Sequence, residues 1–151
     1  MLRYASYDIV FQEIPDEVTL AINISNCPNR CEDCHSPHLQ EDSGEELTES
    51  VLFALLEKYG NAVTCVCFMG GDNSPESVFH WAKFVRQFRK KTAWYSGNDN
   101  LHENAPRYFD YIKWGKYIKK LGGLNTPTTN QRFYRIENET MIDMTERFYR
   151  G

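Results

Sequence analysis

The chain has 151 residues, 41% of them apolar and 14% aromatic, and a formal charge of −4. That length and apolar share suit one hydrophobic core, so a single domain over residues 1–151 is expected, and the acidic balance argues against a surface built chiefly for nucleic-acid phosphates. The start MLRYASYDIV has no basic segment leading into an apolar run, and no stretch of about 18 apolar residues occurs, which points to a cytoplasmic protein whose 5 cysteines are thiols or metal ligands.

The first clear secondary-structure signal is EVTLAINIS (17–25), dense in β-branched and apolar residues, which predicts a strand running into CPNRCEDC (27–34). The polar HSPHLQEDSGEE that follows carries turn formers and is expected as a loop. A helix is expected from Thr48 as N-cap, with Val51, Leu52, Leu55, Leu56 and Tyr59 on one face and Gly60 at the C-cap. Next, AVTCVCFMGGD (62–72) predicts a buried strand closed by a tight glycine turn, and its alternation puts Cys65 and Cys67 together on one face as small buried residues. SPESVFHWAKFVRQFRKK predicts a second helix. Ser74 can cap it, Pro75 fits its first position, and Val78, Trp81, Ala82, Val85 and Phe88 share a face; Arg89, Lys90 and Lys91 would lie at the negative end of its dipole. TAWYSG (92–97) and YIKWG (111–115) each predict a strand stopped by glycine, and the ENET centre of RFYRIENETMIDMTERFYR predicts a terminal hairpin.

Strands and helices alternating at this spacing imply crossover units, and four strands are too few for a closed eightfold barrel. The expected fold class is therefore α/β, a parallel partial (βα) barrel with an irregular C-terminal extension. The cysteine segment, MGGD, YSG and WG would each follow the C-terminal end of a strand, the edge where ligand sites assemble in parallel α/β folds.

Cys27, Cys31 and Cys34 are spaced C-x3-C-x2-C. Three thiolates leave the fourth iron of a cubane cluster open to another ligand, whereas a zinc site would complete its set with His35 or His38; spacing alone leaves both open. Gly70, Gly71 and Asp72 allow close backbone approach and offer carbonyls and a carboxylate to an ammonium group, although GGD alone is more often an ordinary strand-to-helix turn with a capping acid. Tyr95, Ser96 and Gly97 can line the same pocket. Lys113, Lys116, Lys119 and Lys120 are either a solvated basic face or a docking surface for an acidic partner.

The cysteine spacing resembles the signature of the radical SAM superfamily. That resemblance implies a barrel of the radical SAM type and a [4Fe–4S] cluster held by Cys27, Cys31 and Cys34, with the amino and carboxylate groups of S-adenosyl-L-methionine chelating the free iron. MGGD is similar to the superfamily's Gly-Gly-Glu, which implies that Gly70, Gly71 and Asp72 contact the methionyl amino group, Asp standing in for the longer Glu. Over most of the chain, NCPNRCEDCHSP, MGGD, YSG, YIKWGKY and GLNTPTTNQRF resemble the anaerobic ribonucleoside-triphosphate reductase activating proteins, which are small glycyl-radical-enzyme activases. Many superfamily members carry an aromatic residue at the position of Asp33, to lie near adenine; in this family the position varies. The resemblance thus implies cosubstrate contacts from Asp33, Cys34 and His35, with Ser96 on the other wall. The implied partners are the glycyl-radical subunit of an anaerobic (class III) ribonucleoside-triphosphate reductase and a low-potential electron donor, with no nucleic acid and no membrane. An activase of a formate-lyase-like enzyme and a non-catalytic zinc-binding module are the alternatives.

Overall fold

The computed structural model describes residues 2–11, 14, 17–24, 45–72, 74–97, 103–115, 129, 131–138 and 140–145. The elements run β1 (Arg3–Val10), β2 (Thr19–Ile24), β3 (Glu45–Glu46), α1 (Glu49–Tyr59), β4 (Cys65–Met69), α2 (Pro75–Arg86), β5 (Lys91–Tyr95), β6 (Tyr111–Trp114), β7 (Arg132–Glu137) and β8 (Thr140–Asp143). They form one 8-stranded sheet in the order β3-β1-β2-β4-β5-β6-β7-β8.

This overturns the expected parallel partial barrel. The pairings β2·β4, β4·β5 and β5·β6 are parallel, but β1 lies antiparallel to β2 and β3, and β7 is antiparallel to both β6 and β8. The sheet is mixed, and the described residues hold two α-helices, too few to cover strand after strand. Between β5 and β6 the described helical residues are a short 3-10 turn, Ala105–Arg107, with Pro106 inside it. A turn of that length has neither the backbone bonds nor the apolar stripe of a crossover helix. Strand β1 has no counterpart in the sequence reading because RYASYDIV buries little and shows no clean alternation. Glu45 and Glu46, read as part of a polar loop, instead pair with Tyr4 and Arg3 at the sheet edge.

Both helices pack on one face. Leu52, Leu55 and Leu56 of α1 and Val78, Phe79, Ala82 and Val85 of α2 share a core with Leu20, Ile22, Ile24, Val66, Phe68, Trp94 and Ile112. Strand alternation sends Cys65 and Cys67 to the opposite face, where they cluster with Ile14, Ala93, Tyr111 and Phe133. The Thr48 side chain accepts from Val51 N–H at 3.2 Å, as its N-cap position requires, and Gly60 takes the C-cap in a right-handed conformation. Ser74 makes no side-chain cap bond; its carbonyl accepts from Ser77 and Val78 instead. Because α2 ends at Arg86 and Arg89 turns the chain at φ 62°, the basic run lies beyond the helix dipole. Lys90 Nζ donates to the carbonyls of Gly60 and Val63 (2.9 Å to the latter), and Lys91 opens β5.

At the N-terminal edge of the parallel strands a polar fastening joins three chain segments. Glu17 Oε2 accepts from Tyr111 OH at 2.7 Å and from Lys91 Nζ at 2.9 Å. Burial opposes its charge, but hydrogen bonds from Thr64, Tyr111 and Lys91 outweigh that and hold its carboxyl below the ordinary value of 4.5. A carboxyl with a lowered folded pKa contributes stability that is full above its unfolded pKa and is lost as pH falls through the folded one. Tyr111→Phe should therefore cost about 1–3 kcal/mol at neutral pH, and the difference from wild type should shrink on acidification as Glu17 protonates. Urea unfolding at a series of pH values measures it; a difference that does not change with pH would refute the role of the charge.

Candidate functional site

Since β2, β4, β5 and β6 are parallel, their C-terminal ends share one edge. There Ile24 leads toward the cysteine segment, Met69 into Gly70, Gly71 and Asp72, Tyr95 into Ser96 and Gly97, and Trp114 into Gly115. Positive φ at Gly70 (106°), Gly71 (82°) and Gly115 (110°) turns the chain out of the ladder at two of these ends. Only glycine adopts such angles without strain, which is why the strands stop there.

The turn after β4 is bound tightly to the end of β5. Gly70 N–H donates to Tyr95 O at 2.9 Å, Trp94 Nε1–H donates to Gly70 O at 2.7 Å, and Ser74 N–H donates to Gly71 O at 3.0 Å. Asp72 is 8% exposed, and its Oδ1 accepts from Ser96 Oγ at 2.5 Å while Oδ2 accepts from Gly97 N–H at 2.9 Å. Gly70, Gly71, Asp72 and Ser96, singled out separately in the sequence, thus form one cluster. Asp72→Asn keeps the shape, and its amide oxygen can accept from Gly97 N–H while its NH2 donates to the Ser96 hydroxyl, so what is lost is the charge assistance, which should lower stability by about 1 kcal/mol. A urea midpoint equal to wild type would show that the charge of Asp72 adds nothing to the Ser96 and Gly97 contacts.

Several contributors escaped the sequence reading. Trp94 is one; its alternation with Thr92 and its register opposite Phe68 put it in the helix-side core, from which its indole reaches the turn. Lys113, read in the sequence as part of a basic face, has its Nζ 4.9 Å from the Tyr95 ring centroid, and its carbonyl accepts from Ser96 N–H at 2.8 Å. This lysine braces the site wall, so it is not simply part of a solvated face. From the NQRF segment, Gln131 Nε2 donates to Gly115 O at 3.4 Å, which brings that residue to the same edge, while Phe133 is fully buried and stacks on Tyr111 toward the other end of β6.

Cys27, Cys31, Asp33, Cys34, His35 and His38 lie outside the described residues, as do Lys116, Lys119 and Lys120. The strand cysteines do not fit a metal. Cys65 and Cys67 are both 0% exposed, and burial, followed by the nearby Glu17 charge, pushes the Cys65 thiol well above its ordinary range and keeps it protonated. Among the described residues no group of three or more His, Cys, Asp and Glu is placed to hold a metal ion. The three other cysteines of the chain, Cys27, Cys31 and Cys34, are a donor set of the soft sulfur type that iron–sulfur clusters take. No helix among the described residues is long and apolar enough to cross a membrane.

The family model of the 4Fe-4S single cluster domain matches residues 18–110, more than half of the chain. The match begins just before β2 and ends just before β6, so its span takes in the cysteine segment, the Gly70–Asp72 turn and Ser96. No curated protein and no solved structure matches the chain.

Proposed function

This chain belongs to the 4Fe-4S single cluster domain family, and from that premise we propose that it is a radical activase. It cleaves S-adenosyl-L-methionine reductively and installs a glycyl radical on an anaerobic (class III) ribonucleoside-triphosphate reductase. The observation that supports the reading is at one sheet edge: β2 ends at Ile24, just before Cys27 in the sequence, and the neighbouring strand ends hold the fastened Gly70–Gly71–Asp72 turn and Ser96. A three-thiolate cluster at that edge would have one open iron position beside a glycine turn suited to close ligand contact.

Cys27, Cys31 and Cys34 would hold the cluster, which when bound supplies one electron. Asp72 and the Gly70–Gly71 backbone orient the methionine end, Ser96 shapes the adjoining wall, and Asp33, Cys34 and His35 meet the adenosine end. One electron added to the sulfonium breaks its bond to the 5′ carbon, giving methionine and a 5′-deoxyadenosyl radical. That radical takes hydrogen from a glycine Cα of the partner, leaving 5′-deoxyadenosine and the glycyl radical.

The test is anaerobic purification with iron and sulfide analysis, followed by incubation with reductant, S-adenosyl-L-methionine and the reductase subunit. Methionine and 5′-deoxyadenosine in equal amounts, together with a glycyl-radical signal on the subunit, are expected. Zinc without sulfide would replace this reading with a metal-stabilised binding module. Product formation with no radical on the reductase, but one on a formate-lyase-like enzyme, would change the partner.

A further inference from the structure

Trp94 is 1% exposed and lies in the helix-side core, with Phe79 edge-on at 5.6 Å and Phe109 stacked at 5.7 Å. A buried indole has one polar atom to satisfy. Here the Nε1–H reaches out of the core to Gly70 O, 2.7 Å away, while Gly70 N–H donates to Tyr95 O at 2.9 Å, so both polar groups of Gly70 are fastened to β5. Glycines populate positive and negative φ about equally, and two in succession at φ 106° and 82° have little orientation preference of their own. A trans peptide is planar, so anchoring the oxygen of Gly70 also sets the direction of the Gly71 N–H on the other side of the same plane.

We propose that Trp94 is a positioning residue for S-adenosyl-L-methionine: its indole N–H holds the Gly70–Gly71 peptide in the orientation that meets the methionine end of the cosubstrate. The inference rests on the activase reading above and adds to it a residue that acts through the turn without touching the ligand. Trp94→Phe removes the donor and keeps an aromatic ring, and the loss of one anchoring hydrogen bond should weaken cosubstrate binding by about three- to tenfold. Phe109→Leu is the matched comparison, because it loosens the packing on the same indole and leaves its N–H in place.

Titrating the reduced-cluster spectrum with S-adenosyl-L-methionine gives the affinity of wild type and both variants, with iron content and urea midpoint measured alongside. The expected result is weaker binding in Trp94→Phe alone, at equal iron content, although both variants lower the midpoint. Unchanged affinity in Trp94→Phe, or the same loss in both variants, overturns the proposal, because the indole then serves only the core. Failure of the wild type itself to bind overturns the activase reading and this inference with it, and that result is distinct from a variant-specific one.

Discussion

Cys31→Ala is expected to lose both iron and sulfide and to cleave no S-adenosyl-L-methionine. With both strand thiols buried and the Cys65 thiol held protonated, Cys27 and Cys34 would be left as the candidate thiolates, and no cysteine among the described residues is placed to substitute. Altering a residue that merely supports a metal ligand lowers affinity about 10–100-fold, so deleting a ligand should exceed that. The controls are Cys65→Ala and Cys67→Ala, which should keep full iron content and lose on the order of 1 kcal/mol of stability or somewhat more from tightly packed sites. Iron and sulfide analysis of the three variants, purified without oxygen, separates the outcomes. Full iron in Cys31→Ala would refute the ligand set, and lost iron in either strand variant would mean that the strand thiols take part.

Gly71→Ala should give the largest loss of stability among substitutions at the turn. The residue has φ 82°, where a side chain is strained by roughly 1–2 kcal/mol, and an added Cβ would stand 2.6 Å from Val78 Cγ2. Val78 is fully buried on α2 and is β-branched, so it has no free rotamer to retreat into, and overpacking of this kind costs about 1–3 kcal/mol. The sum is about 2–5 kcal/mol, read as a lower urea midpoint. A loss below about 1 kcal/mol would mean that α2 shifts freely and that the turn is not pinned against it. Because Gly71 also belongs to the proposed cosubstrate site, the variant should bind S-adenosyl-L-methionine more weakly even at temperatures where it is fully folded.

The central strands and both helices were legible because each carries its own signal. Alternation in AVTCVCFM places Cys65 and Cys67 together on one face, and Thr48 marks the start of α1 by its side-chain bond to Val51. β7 and β8 likewise pair around the ENET turn, where Asn138 takes φ 50°. The glycine stops were legible too, since a strand that meets MGG or WG has to leave the ladder. What could not be read was whatever depends on a distant partner. RYASYDIV has little burial to show in its own pattern, and it is a strand only because Val10 through Tyr4 find Thr19 through Ile24 to pair with. The expected barrel failed for the same reason, because it counted strand–helix repeats without knowing that antiparallel strands would close both flanks of the sheet.

The sequence by itself determined the candidate ligand types and their spacing, namely three thiols within residues 27–34 and two glycines followed by an acid at 70–72, because covalent spacing along a chain is local information. It also determined which residues of each strand share a face, since that follows from the period of the backbone. Only the tertiary structure decided that Asp72 reaches Ser96 and Gly97, 24 and 25 residues away, and that Trp94 supports Gly70 from inside the core. It also decided that Glu17 is paired with Tyr111, 94 residues distant. These contacts depend on the register between strands, and register comes from the collective burial of whole faces against the helices, a sum over many residues that no short motif contains.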